Sequence, residues 1–176
     1  MIRTVLVGLV AAATVAIMSP AGTQAAKPDV TPATQAFLKK AAEEQQAQIA
    51  LGELAAKQAT SRRVRNFGDE MILVHRTVSF QLRELATPRG VQLTLEPDDE
   101  HKRIQKELAQ QSGHAFDRAY MQQILRDHQN DVNEFENGMQ QVDDAEVLRW
   151  AHKTLPMLRA HIEDARWILQ SLQTNP

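Results

Sequence analysis

The chain has 176 residues, no cysteine, and a nearly balanced charge of 20 Lys plus Arg against 22 Asp plus Glu. The lack of cysteine excludes disulfides, thiol chemistry and lipid attachment to an N-terminal cysteine. The charges are spread without long single-sign blocks, so the sequence offers no electrostatic footprint for nucleic acid or for an anionic membrane surface.

The first residues have the organisation of a secretory signal. Arg3 is followed by an apolar run over residues 5–18, which is too short to span a bilayer as a membrane anchor. Pro20 and Gly22 end this run, and small residues lead up to Ala25. We therefore predict a signal peptide over residues 1–25, cleaved after residue 25 or 26, and export of the mature chain.

A short tether over residues 26–33 follows, because Pro28 and Pro32 disfavour helix there. Thr34 is the predicted cap of a first helix that runs to about Thr60 and carries many alanines on its apolar stripes. Alanine allows close approach of a neighbouring helix. The remaining length suffices for one core, so we predict one domain over residues 34–172.

A second helix opens at Ser61 and ends before Pro88 and Gly90. Its apolar stripe has close to heptad spacing and includes one histidine: Val64, Gly68, Met71, His75, Val78, Leu82 and Leu85. Asp98 then caps a shorter, charged helix that runs to about Gln111.

A further helix is predicted over residues 114–138, with a stripe of Met121, Leu125, His128, Val132 and Phe135. The last helix follows Asp143 and Asp144 and should bend at Pro156. Four long helices with one long connection in the middle predict an all-α, ferritin-like antiparallel four-helix bundle, whose crossover carries a short extra helix.

Three histidines are candidate ligands near the middle of this bundle. His75 and His128 each lie about fourteen residues into their helices, and the crossover makes these helices parallel, so they should share one layer. Counting along the last helix places His161 up to roughly two turns away from His128. On the first helix Gln48 is nearest in height, and Glu44 lies one turn earlier.

Imidazoles from several helices suit a transition metal such as copper, zinc or iron. Met71 lies four residues before His75, as does Met157 before His161, and a thioether beside an imidazole favours copper. The alternative is a hydrogen-bonded polar network with methionines that fill gaps in the core. No Glu-x-x-His occurs, which argues against an ordinary di-iron site. Asp98 with His101 comes near to it, but we interpret this pair as a helix cap and a solvated side chain.

Several segments resemble the family called domain of unknown function 4142: residues 36–42, 51–55, 71–75, 113–120, 127–128 and 155–161. The resemblance covers about residues 34–172. It implies an exported bacterial ferritin-like bundle, periplasmic or associated with the outer membrane, with no established activity. The recurring histidines of the family match His75, His128 and His161. Two positions depart from it, since Gln48 replaces a glutamate and Val74 an aspartate, and each change removes a carboxylate near the candidate site.

The leading hypothesis from the sequence is a non-enzymatic structural, interaction or stress-related protein of the bacterial envelope, whose partner would be another envelope protein. The alternative is a ferritin-like metal-binding protein that uses the three histidines. Weaker ligand candidates in that case are Glu44, Gln48 and Met71. No constellation of nucleophile and base, phosphate loop or paired carboxylates indicates an enzyme.

Overall fold

The computed structural model describes residues 30–174, and this part of the chain is all-helical. Its five α-helices are α1 (Pro32–Gln58), α2 (Arg62–Ala86), α3 (Asp99–Ala109), α4 (Gly113–Met139) and α5 (Ala145–Thr174). The predicted signal peptide and residues 26–29 of the tether lie outside the described residues. Within the described range, no helix combines the length and the apolar character needed to cross a membrane.

The first helix starts three residues earlier than predicted, because Thr31 rather than Thr34 is its cap. The Thr31 side chain accepts a hydrogen bond from the Thr34 backbone N–H, and Pro32 occupies the first turn. Proline is tolerated there because backbone N–H groups in the first turn have no intrahelical acceptor, so the N–H that proline lacks would make no helix hydrogen bond. Thr34 is instead buried, and its hydroxyl donates to Asp143 at 2.8 Å, which ties the start of α1 to the loop before α5.

The ends of α2 and the start of α3 agree with the predicted signals. Ser61 is the N-cap residue of α2, and a 3₁₀ turn at Thr87–Arg89 follows the helix. Gly90 then adopts φ 68°, a left-handed conformation that glycine takes at no steric cost. The Asp98 carboxylate accepts from the His101 backbone N–H and so caps α3 as predicted.

The helices form a bundle in which α1 packs chiefly against α2, and α4 against α5. The long connection between α2 and α4 carries α3, which lies across α1 and α4. Helices α1 and α2 approach closely where two glycines meet, since a Cβ atom on Gly52 would lie 2.9 Å from the Gly68 carbonyl oxygen. Pro156 lies inside α5, which continues through it as one helix.

A polar layer divides the core of the bundle into two apolar clusters. One cluster surrounds Phe37, Leu82 and Trp150, and the other surrounds Leu51, Phe67 and Tyr120. Between them along the helices lie buried polar side chains: Glu44, Gln45, Gln48, His75, Asp127, His128, Asp131 and His161. Burial of polar groups is unfavourable unless partners satisfy them. Apolar packing alone does not explain these buried polar side chains, so this layer is the first place to look for a functional site.

Candidate metal centre

Helices α2, α4 and α5 each place one buried histidine in the same layer. His75 and His128 are 0% exposed and His161 is 3% exposed. One ring nitrogen of each lies within 4.8 Å of the others, and the ring centroids are 5.1 to 5.5 Å apart. The three side chains thus converge on one point from three separate helices.

The predicted offset of His161 from His128 is wrong. His128 Nε2 and His161 Nδ1 are 3.0 Å apart, within hydrogen-bond distance. The reason lies in the turn after α4, where Gln141 and Val142 donate backbone hydrogen bonds to Gly138 and Met139. These turns continue the path of α4 before the chain reverses, so a count from the end of the helix underestimates its effective length.

Hydrogen bonds at Nδ1 orient two of the imidazoles. His75 Nδ1 lies 2.8 Å from Gln45 Oε1, and His128 Nδ1 lies 3.1 Å from the Ile124 carbonyl oxygen. Both oxygens accept only, so each Nδ1 carries the proton and each Nε2 presents a lone pair. His75 Nε2 is buried and has no hydrogen-bond partner within the described residues. Nε2 of His75 and Nε2 of His128 are therefore electron-pair donors.

Burial keeps the three imidazoles neutral. Desolvation, followed by the charges of the other two histidines, lowers the pKa of His75 well below 6.5. Desolvation is also the largest cause for the others, and it lowers the pKa of His128 to about 3 and that of His161 to about 4. A neutral imidazole is the form that binds a metal, so none of the three rings has to lose the extra proton of an imidazolium at neutral pH.

The first helix contributes Gln45 to this centre, where the sequence had predicted Gln48. Gln45 lies on the stripe that contains Leu38 and Ala42, and a polar residue on that stripe was the signal available in the sequence. Gln48 is fully buried, and neither of its amide atoms has a partner within the described residues. Met71 is also fully buried, one turn before His75. Both remain candidates for a fourth ligand.

Glu44 belongs to a different group of side chains. Its carboxylate lies 2.6 Å from Lys40 Nζ and 3.7 Å from His101 Nε2. The interpretation of His101 as a solvated side chain is therefore wrong, since this side chain is only 12% exposed.

Asp127 and Asp131 are 6% and 4% exposed, and neither was among the residues predicted to lie at the site. Leu125 and Val132 were predicted to lie on the buried stripe of α4, yet both are only partly buried. The buried face of this helix is rotated toward Tyr120 and Ile124, and the two aspartates follow them at helical spacing.

Comparisons with known proteins give a family and a fold. Residues 19–168 match the family model described as domain of unknown function (DUF4142). The structure is similar to the crystal structure of a DUF305 fragment from Deinococcus radiodurans, with a TM-score of 0.73 and 19% identity over 82% of this chain and 99% of that chain. At this identity the likeness shows the fold alone. No curated protein matches the sequence.

Proposed function

The chain belongs to the family of domain of unknown function DUF4142, and we propose that it is an exported, ferritin-like helical bundle that holds one transition-metal ion on His75, His128 and His161. One observation carries the proposal. Three neutral imidazoles converge in a buried layer, and one of their facing nitrogens, His75 Nε2, has no hydrogen-bond partner within the described residues. A bound ion would satisfy this nitrogen.

The hydrogen-bond partners of two imidazoles are of the kind that orient metal-binding histidines. A metal-binding histidine usually donates its other ring N–H to a carboxylate or a carbonyl, which fixes the tautomer and the ring orientation. Gln45 Oε1 and the Ile124 carbonyl oxygen fill this role for His75 and His128. In the contact between His128 Nε2 and His161 Nδ1, the proton lies on His161 Nδ1. To bind a metal through Nδ1, His161 would have to carry this proton on Nε2.

The ligand types favour zinc or copper over iron. Three neutral nitrogen donors leave one position open in a tetrahedral zinc site, and a thioether from Met71 in that position would favour Cu(I). Among the described residues, the group formed by the three histidines includes no carboxylate, a ligand that the di-iron sites of ferritin-like bundles require.

The layer also has a metal-free interpretation, supported by the 3.0 Å contact between His128 and His161. Together with the bond between His75 and Gln45, this contact joins all three rings to polar partners. In this case the histidines are a buried polar network. The protein would then act in the envelope as a structural, interaction or stress-related component, as the sequence predicts.

Metal analysis of the mature protein separates the two functions. The protein is purified without chelator, its Cu, Zn and Fe contents are measured, and the apoprotein is titrated with Zn²⁺ and with Cu⁺. The same is done for His75→Gln and His128→Ala, with His114→Ala as the matched control, because His114 is an exposed histidine.

We expect one equivalent of zinc or copper in the wild type and in His114→Ala, and loss of this equivalent in the other two variants. His75→Gln keeps a polar side chain, so its folding can be checked independently by circular dichroism. An empty protein that binds neither ion, or equal binding in His128→Ala, would refute the metal site and leave the polar network.

A further inference from the structure

The first helix adds an unsatisfied amide group to the polar layer. Gln48 is 0% exposed, and neither its amide oxygen nor its amide nitrogen has a hydrogen-bond partner within the described residues. Burial of an amide without partners is unfavourable, because the group loses its hydrogen bonds to water and gains none in return. Apolar packing therefore does not explain why a glutamine occupies this position.

Contacts between α1 and α2 fix the height of Gln48 in the bundle. Gln45 Oε1 lies 2.8 Å from His75 Nδ1, and a Cβ atom on Gly52 would lie 2.9 Å from the Gly68 carbonyl oxygen. These two contacts show that the helices run antiparallel, so each residue forward along α1 corresponds to one residue back along α2. Gln48 therefore lies about 4.5 Å along the bundle from the height of His75, which is less than one turn of helix.

Contacts between α1 and α4 place Gln48 at the height of His128. Glu44 shares a side-chain hydrogen bond with Asp131, and these two helices also run antiparallel. Four residues forward along α1 from Glu44 therefore correspond to four residues back along α4 from Asp131. Gln48 thus lies opposite Asp127, the residue before His128.

The side chain of Gln48 extends toward the axis of the bundle. Around α1, at about 100° per residue, Gln48 falls between Gln45, which contacts α2, and Glu44, which contacts α4. It follows the same line along the helix as Phe37 and Ala55, which are both buried. The amide group is therefore directed into the space between the other long helices, where the three histidines converge.

A neighbouring carboxylate is in position to decide which amide atom faces the histidines. Asp127 Oδ2 is buried and, in the described part of the chain, has no partner, while Oδ1 accepts a bond from Gln123. When the Gln48 amide nitrogen donates to Asp127 Oδ2, the amide oxygen is the atom that remains for an ion. An ion bound to this oxygen and to His75 Nε2 would then leave none of these buried atoms unsatisfied.

The other candidate for a fourth ligand, Met71, has no such deficit. It is fully buried in the apolar cluster that surrounds Leu51, Phe67 and Tyr120. A thioether packs against apolar side chains without needing a hydrogen-bond partner, so the burial of Met71 requires no ion. The unsatisfied groups thus favour an oxygen ligand over a sulfur ligand.

We propose that the amide oxygen of Gln48 is the fourth ligand of the histidine centre, so that each of the four long helices supplies one ligand. An amide oxygen is a harder ligand than a thioether, and together with three imidazoles it favours Zn²⁺ over Cu⁺. Four protein ligands close a tetrahedral zinc site and leave no position for a reactive water molecule, so the ion stabilises the fold and performs no catalysis. This inference rests on the proposed metal-binding function.

The test is a zinc titration of the chelator-treated apoprotein in competition with a coloured chelator of known affinity. Gln48→Leu removes the amide group at similar side-chain size, and Gln48→Glu places a carboxylate oxygen at the same position. Met71→Leu tests the competing ligand. Gln46→Leu is the matched control, because it makes the same chemical change on α1 at a side chain that bonds to Ser79. Each variant is also titrated with Cu⁺, and circular dichroism in chelator checks its folding.

We expect one equivalent of Zn²⁺ in the wild type and in every variant, because the three histidines remain. Zinc affinity should fall by about tenfold or more in Gln48→Leu and stay within about twofold of wild type in Met71→Leu and Gln46→Leu. It should rise by about tenfold or more in Gln48→Glu, since a charged oxygen binds Zn²⁺ more strongly than a neutral one. Gln48→Leu should leave the affinity for Cu⁺ unchanged, because this softer ion gains little from an amide oxygen.

Zinc affinity that Gln48→Leu leaves unchanged, or that falls as far in Met71→Leu, would overturn the role of Gln48 and leave the histidine centre intact. The same conclusion would follow from a Gln48→Glu variant that folds in chelator and binds zinc no more tightly than the wild type. Absence of zinc uptake by the wild type would instead refute the metal site itself, and this inference with it. Failure of the fourth ligand alone can therefore be told apart from failure of the proposed function.

Discussion

Replacement of Asp127 by asparagine should change how the free energy of unfolding depends on pH. Burial is the largest cause that raises the pKa of Asp127 from 3.8 to about 6, and the Glu44 charge adds to it, while His101, Gln123 and Arg126 act in the opposite direction. Because the pKa is higher in the folded state than in the unfolded state, this carboxyl group stabilises the fold fully below pH 3.8. That stabilisation is lost as the pH rises through about 6.

The size of the effect follows from the two pKa values. At about 1.4 kcal/mol per pKa unit, the difference is worth about 3 kcal/mol in total, of which about 2 kcal/mol falls between pH 4 and pH 7.5. Asparagine is neutral throughout and can keep the bond from Gln123. Any other change in its contacts shifts the free energy of unfolding by the same amount at every pH. Relative to the wild type, the variant should therefore lose about 2 kcal/mol of stability when the pH is lowered from 7.5 to 4.

The assay is urea unfolding of both apoproteins in chelator, followed by circular dichroism at several pH values. The three histidines have lowered pKa values, so their stabilisation is lost as the pH falls below 6.5, but this contribution is common to both proteins and cancels in the difference. Asp69→Asn makes the same chemical change on the exposed surface of α2 and serves as the control. The argument would be refuted if the free energy of unfolding of Asp127→Asn kept a constant offset from wild type within about 0.5 kcal/mol, or if the variant gained stability relative to wild type as the pH is lowered.

Three further substitutions test the packing and the site. Gly68→Ala should lower the free energy of unfolding by about 1–2 kcal/mol in urea titrations, because the new Cβ would lie 2.9 Å from backbone atoms of α1, which outweighs the better helix propensity of alanine. Arg89→Ala should cost about 2–4 kcal/mol in the same assay, since the buried guanidinium donates to both oxygens of Asp144 at 2.8 Å. Gln45→Leu should lower the affinity for zinc or copper about ten- to a hundredfold in a competition titration, with unchanged stoichiometry, because it no longer orients His75.

Each of these substitutions has a control on the same protein. Ala160→Gly, at an exposed position in α5, measures helix propensity alone, about 0.5–1 kcal/mol, and a Gly68→Ala variant that gained this amount would contradict the tight contact. Arg76→Ala removes an exposed pair with Glu53 and should cost at most about 1 kcal/mol, so a loss equal to that of Arg89→Ala would contradict the role of burial. Gln46→Leu should leave metal affinity unchanged.

The helices and their order could be predicted from the sequence because the signals are local. The apolar spacing of α2 and the caps at Ser61 and Asp98 involve only neighbours along one helix, and the structure confirms both N-terminal ends. The predicted layer of His75 and His128 also needed only residue counts along two helices. Such counts are reliable while the chain stays within regular helix.

The missed residues depend on tertiary packing. Whether Leu125 or Ile124 faces the core is decided by a modest rotation of α4, and this rotation also decides whether Asp127 and Asp131 are buried. The height of His161 depends on hydrogen bonds in the turn after α4. The position of His101 depends on how α3 docks across two other helices. None of these has a signature in the spacing of residues within a single helix.

The polar layer between the two apolar clusters also fixes the register of the four long helices. A helix that slid by one turn, about 5.4 Å, would carry its polar side chains into an apolar cluster and leave their partners unpaired. His75, for example, would lose Gln45, and each buried polar group without a partner costs about 1–3 kcal/mol. Apolar side chains alone would tolerate such a slip more easily. The layer therefore selects one vertical alignment of the bundle, and it does so with or without a bound ion.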